Sequence, residues 1–81
     1  MFEEYTEVRV IKLEESNREY YGTDDIKHAP EIGDTGIIVD VTMNENTNDA
    51  VYWVENVNSD GYTVWLAEFV ESEIEPYTRD D

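Results

Sequence analysis

Apolar and polar residues alternate with a period of two along most of residues 33–69, and clusters of Gly, Asn and Asp interrupt the alternation at short intervals. No window of a dozen residues carries a clean 3.6-residue apolar period, which leaves strands to build the core. The alternation places strands at 37–42, where Ile37, Val39 and Val41 alternate with Ile38, Asp40 and Thr42, and at 50–57 and 62–69. An earlier strand is expected over 5–13, with Val8, Val10 and Lys12 on one side and Arg9, Ile11 and Leu13 on the other. Gly33-Asp34-Thr35-Gly36 is a turn cluster, and Asn44-Glu45-Asn46-Thr47-Asn48-Asp49 can only be a turn or a hairpin tip, because Asn and Asp bond locally and tolerate left-handed backbone. Asn58-Ser59-Asp60-Gly61 is the strongest hairpin signal, with Asp-Gly suited to the positive φ angles of tight primed turns. Near the C-terminus, Glu71 to Ile74 has room for one 3₁₀ turn, and Pro76 belongs at its end or on an edge strand. About five short strands therefore form an all-β unit over residues 1–81, with 78–81 a flexible tail, and closure into a small barrel protects the strand edges.

The alternation dissolves over residues 14–32, which form a long acidic first loop. A loop of that length in so small a domain lies beyond the common range, and such loops often carry function. Within it, Tyr20 and Tyr21 are adjacent and flanked by Glu14, Glu15, Glu19, Asp24 and Asp25. Two neighbouring tyrosines cannot both be buried by one strand face, so the pair is an interface candidate, with the acids as its electrostatic rim.

The charge narrows the function classes. Against 21 Asp and Glu stand 5 Lys and Arg, a net charge of −16, which would repel nucleic acid and anionic membranes. The 40% apolar content and 12% aromatic content are too high for an acidic disordered tail. With no Cys there is no disulfide, zinc-thiolate site or thiol nucleophile. No apolar run approaches the ~18 residues of a membrane span, and the N-terminal residues lack the basic and apolar regions of a signal peptide, so a cytoplasmic location is expected. Crowded like charges also predict that stability rises with added salt, and as pH falls from 7 toward about 5.

The order of a strand, a long loop, Ile32-Gly33-Asp34-Thr35-Gly36-Ile37-Ile38-Val39-Asp40-Val41, a hairpin and a strand pair joined through Asp60-Gly61 resembles that of SH3-like barrels. More narrowly, Gly33 to Val41, then Tyr52-Trp53-Val54-Glu55-Asn56-Val57-Asn58-Ser59-Asp60-Gly61 and the closing Ile74-Glu75-Pro76 look like a family of short uncharacterised bacterial proteins that share a G-D-x-G-x-V turn and a D-G hairpin. The match spans roughly residues 29–77, and the resemblance implies a fold rather than an activity. The related KOW-type barrels bind RNA through basic loops, which this chain lacks.

Catalytic chemistry has little to work with. His28 is the only histidine and reads as a solvated loop residue beside Pro30. With so many carboxylates, some pairs must fall within glycosidase spacing, so proximity alone says little. Asn44, Glu45, Asn46, Asn48 and Asp49 offer hard oxygen donors for calcium, but the run lacks the Gly and terminal Glu of an EF-hand loop. With Val54 and Val64 inward, Trp53 and Trp65 are expected outward on adjacent strands, either as a cross-strand pair that stabilises the sheet or, with Tyr62, as a partner patch.

The expectation is a protein without catalytic, cofactor-binding or metal-binding residues that neutralises or inhibits a basic protein, such as a nuclease, a toxin or a nucleic-acid-binding enzyme. Glu14, Glu15, Glu19, Asp24 and Asp25 would supply the electrostatic contact and Tyr20 and Tyr21 the desolvated anchors, with Glu71, Glu73 and Glu75 extending the surface. The alternative is a structural or adaptor barrel that docks by its sheet face into a larger assembly. An SH3-type reader of Pro-rich ligands ranks below both, because the sequence shows no paired-aromatic groove, and a small hydrolase ranks with it.

Overall fold

The computed structural model describes residues 1–15 and 17–78. Five strands, β1 (Glu7–Val10), β2 (Thr35–Met43), β3 (Ala50–Val57), β4 (Thr63–Val70) and β5 (Ile74–Pro76), with a 3₁₀ turn at Glu71–Glu73, form one antiparallel sheet in the order β4-β3-β2-β1-β5. This is the expected all-β, SH3-like architecture with a long acidic first loop. The sheet does not close into a barrel by strand pairing: β4 and β5 lie at its two ends, joined in sequence by the 3₁₀ turn. The first strand is shorter than the alternation suggests, because Ile11 and Lys12 leave the ladder to donate their N–H groups to the Glu73 carbonyl, at 2.8 and 3.3 Å. The expected flexible tail falls, beyond Thr78, outside the described residues.

The core follows the period-two logic wherever the ladder is regular. Val8 and Val10 of β1, Tyr52 and Val54 of β3, and Ala67 and Phe69 of β4 are buried on one face with Ile38 and Ile74. Two bulges change the parity. In β2 the register shifts between Ile38 and Asp40, so inward pointing passes from Ile38 to Val41, and Ile37 is left exposed. In β4, Trp65 pairs with Asn56 and Thr63 with Val57, which leaves Val64 as the extra residue opposite no partner. Both Val64 and Trp65 are consequently buried, and the expected outward Trp53–Trp65 pair is replaced by a Trp65–Phe69 contact in the core, with ring centroids 5.5 Å apart. The indole N–H of Trp65 is satisfied at depth by Asp34 Oδ2 at 3.0 Å.

The β3–β4 turn also departs from the primed geometry. Gly61 has φ +87°, but Asp60 is not in the left-handed region. The Gly61 N–H donates to the Asn58 carbonyl at 3.0 Å and the Asn58 N–H to the Tyr62 carbonyl at 2.9 Å. Only the last turn residue needs glycine, the arrangement of a longer hairpin loop.

Candidate partner-binding cleft

The first loop is fastened at both ends of its path. Its outer part runs beside β4, where Tyr21 and Leu66 exchange both backbone hydrogen bonds (3.0 and 2.7 Å) and the Thr23 N–H reaches the Thr63 carbonyl at 2.9 Å. These bonds cover the free edge of β4, which would otherwise offer unpaired amides to another chain. Gly22 permits the approach: a Cβ there would lie 2.5 Å from the Val64 carbonyl oxygen.

Glu73 fastens the inner part. Its side chain is 1% exposed, although the sequence reading gave it to the solvent-facing surface with Glu71 and Glu75. It is buried because five donors converge on it, three on the carboxylate and two on the backbone carbonyl. The Glu14 N–H reaches Oε2 at 2.8 Å and the Val70 N–H reaches Oε1 at 3.0 Å, Arg18 Nη2 pairs with Oε2, and the Lys12 and Ile11 amides take the backbone carbonyl. Arg18, 9% exposed at its side chain, lies over the Phe69 ring with its guanidinium carbon 4.5 Å from the ring centroid. Its second terminal nitrogen, Nη1, is buried and has no hydrogen-bond partner among the described residues.

Between this pair and the loop opens a cleft of about 390 Å³. Arg18 and Phe69 contribute to its lining, and so do Tyr21 and Trp53, whose ring centroids lie 6.4 Å apart at 32°. Glu15 and Glu19 from the loop and Glu68 from β4 supply its carboxylates. All three are exposed, and among the described residues none of them pairs with a cation of the chain. The described basic side chains are committed elsewhere: Arg9 to Glu75 at 2.8 Å, Lys12 to Glu14 at 3.7 Å, Lys27 to Asp24 at 3.5 Å and Arg18 to Glu73.

The structure thus divides the residues singled out from sequence. Glu15, Glu19 and Tyr21 come together at the cleft. Tyr20 does not join them, since it is half-buried and packs against the core. Glu14 turns toward the 3₁₀ turn, where the Ser72 hydroxyl donates to its carboxylate; that bond, aided by the Lys12 ammonium, holds Glu14 below the usual carboxylate range against the opposing effect of burial. Asp24 and Asp25 sit in the turn that follows Thr23, with Asp25 at φ 78°. Glu71 faces the N-terminal ammonium at 2.9 Å.

Arg18, Glu68 and Trp53 are the cleft residues that the acidic-loop reading left out. Trp53 was singled out, but for a different patch. The paired-aromatic groove absent from any one stretch of sequence exists because the loop carries Tyr21 back across the sheet to Trp53. Elsewhere, ligand atoms of His28, Glu31 and Asp34 lie within 4.8 Å of one another, and Asp34 Oδ2 already accepts from Trp65 and from the Glu31 N–H at 3.0 Å. At the 44–49 tip, Asn44 Oδ1 accepts the Asn46 and Thr47 amides at 2.9 and 3.3 Å, so this side chain closes the turn. No helix among the described residues is long and apolar enough to cross a membrane. Comparison of the chain with protein-family models, with curated proteins and with solved structures gave no match.

Proposed function

We propose that this protein is a non-enzymatic binding protein that neutralises a basic protein partner, with the first loop and the adjoining face of β4 as its contact surface. The observation that supports this reading is the fixed display of acids that have no cationic partner among the described residues. Backbone bonds to β4 and the Glu73 anchor hold the loop, while Glu15, Glu19 and Glu68 stay exposed beside two aromatic rings, with no cationic partner among the described residues. A net charge of −16 steers a basic protein toward that surface, and rings that become buried supply the specificity that charge alone lacks. Partners of this chemistry include nucleases, toxins and nucleic-acid-binding enzymes, whose phosphate-binding surfaces complement closely spaced carboxylates. A steered complex weakens as ionic strength rises.

The test is capture of basic proteins from the extract of the cell that encodes this chain, at low and at high salt, followed by kinetics with the purified partner. Replacing Glu15 and Glu19 with Gln is expected to slow association, and Tyr21→Ala to speed dissociation. Tyr20, by its packing, belongs to the stability of the loop rather than to the contact. If no basic partner is retained at low salt, the reading fails. The adaptor reading then takes its place, and it has its own observation in the exposed aliphatic side chains of Ile32 and Ile37, 64% and 45% accessible.

A further inference from the structure

We infer that His28, Glu31 and Asp34 form a binding site for one divalent transition-metal cation of the Zn²⁺ class, a site that goes beyond the proposed binding function and shares no residue with its contact surface. Ligand atoms of the three side chains lie within 4.8 Å of one another, and among the described residues no cation of the chain pairs with any of them. In a chain with 21 acids, clusters of carboxylates arise readily and mean little. This cluster differs in holding the only histidine of the sequence, which adds a nitrogen donor to two oxygen donors.

The groups behind these side chains are the ones that metal ligands keep. His28 Nδ1 lies 2.9 Å from the Ala29 carbonyl oxygen. A carbonyl only accepts, so that bond places the ring proton on Nδ1 and the lone pair of the neutral ring on Nε2. Asp34 Oδ2 accepts from the Trp65 indole N–H and from the Glu31 N–H, each at 3.0 Å, which orients the carboxylate and leaves Oδ1 for a ligand. A ligating imidazole ordinarily gives its other N–H to a carbonyl or a carboxylate, and a ligating carboxylate is itself hydrogen-bonded. The segment is also fastened to the sheet. Pro30 is buried, the Gly33 N–H donates to the Val10 carbonyl, and the Val10 N–H donates to the Asp34 carbonyl, both at 2.8 Å. His28 and Glu31 are exposed, so small side-chain rotations can draw the donors in to the roughly 3.4 Å separation of a tetrahedral centre.

The donor set selects among cations. Calcium and magnesium take oxygen ligands, and the softest ions take thiolates, whereas an imidazole with carboxylates suits Zn²⁺ and its first-row neighbours. Three protein ligands leave the fourth tetrahedral position to water. The net charge of −16 concentrates every cation near the surface without choosing between them, so preference for Zn²⁺ over Ca²⁺ is the signature of a built site.

The test is titration of the full chain, first freed of metal with a chelator, with ZnCl₂ at about 0.15 M salt, where diffuse attraction is screened. Calorimetry and NMR follow it, with CaCl₂ as the oxygen-seeking reference. Zinc is expected to saturate at one equivalent and to move the His28 ring and Trp65 indole N–H signals together, while calcium at the same concentration moves neither. His28→Ala and Glu31→Gln, both at exposed positions and checked for an unchanged melting transition without metal, are expected to weaken zinc by ten-fold or more, since even the partners behind a ligand are worth that much. Zinc taken up over many equivalents with no saturating first step, a response to calcium equal to that to zinc, shifts confined to acids elsewhere, or an affinity unmoved by His28→Ala would overturn the site.

Discussion

Glu73 and Glu68 are five positions apart and use the same functional group in opposite ways. Glu73 is 1% exposed and receives Glu14, Val70 and Arg18 as donors, so it joins the start of the first loop to β4 and the 3₁₀ turn. Glu68 lies on the outward side of β4 at the cleft, exposed and without a basic partner among the described residues. The difference teaches that the chain's acidity is not one property. Where donors converge, a carboxylate works as a structural joint. Where none do, it contributes field and leaves its hydrogen-bonding capacity open to solvent.

The comparison is broken most directly at the joint. Removing Glu73 strands Arg18 as a buried charge, and breaking a buried pair from one side typically costs about 3–5 kcal/mol. Glu73→Ala is therefore expected to lower unfolding stability by that order in denaturant titration, a large share of what so small a domain commands. A loss no larger than that of an exposed substitution would show that the loop is held by its bonds to β4 alone. At the hairpin, Gly61→Val is expected to cost about 1 kcal/mol or more, because a β-branched residue is strained at φ +87°. An unchanged midpoint there would remove the turn's dependence on left-handed backbone.

The other side of the comparison predicts near silence in stability. Replacing Glu15, Glu19 and Glu68 together with Gln touches no ion pair among the described residues, so each change is expected within about 0.5 kcal/mol. The direction is toward greater stability at low salt, where self-repulsion is least screened, with the gain shrinking as salt is added. Melting curves of both proteins across a salt series check this. A clear loss of stability in the variant would reclassify the rim acids as structural.

What was legible in the sequence follows the same division. The period-two pattern and turn residues placed β3 at 50–57 and the other strands to within a few residues, and Gly61 took the positive φ that the Asp-Gly pair suggests. These are local properties, set by neighbours in sequence. Trp65 was misplaced because its parity was counted from Val64, a bulged residue buried beside it, and no local signal marks that bulge. Glu73 was misread because a carboxylate surrounded by Glu71 and Glu75 looks solvent-facing until Arg18 and the Glu14 amide arrive from 55 and 59 positions away. The adjacent tyrosines read alike, as a pair of interface anchors, but the structure separates them: Tyr20 packs against the core, and Tyr21, bridged to Leu66, stays exposed. The cleft was half-legible: its loop acids and Tyr21 stood out, while Arg18 and Glu68 acquire meaning only through tertiary contact.

The smallest expected effect tests an acid that lies between the two extremes. Glu14 is exposed like Glu68 yet hydrogen-bonded like Glu73, with the Ser72 hydroxyl as the main cause of its lowered pKa and Lys12 as a lesser one. A group whose folded pKa is depressed adds stability above its unfolded value, and that stability is lost as pH falls through the folded value. The Glu14–Ser72 bond therefore acts against the general expectation that acidification relieves this chain, over the pH window just below the usual carboxylate range. Ser72→Ala is expected to raise the Glu14 pKa, back toward that of an ordinary carboxylate, in an NMR titration. The stability difference between the two proteins should be small at neutral pH and vanish once Glu14 is protonated in both. If the Glu14 titration is the same with and without the hydroxyl, the bond does not control the carboxylate. Glu14 would then belong with Glu15 and Glu19 as part of the field rather than of the frame.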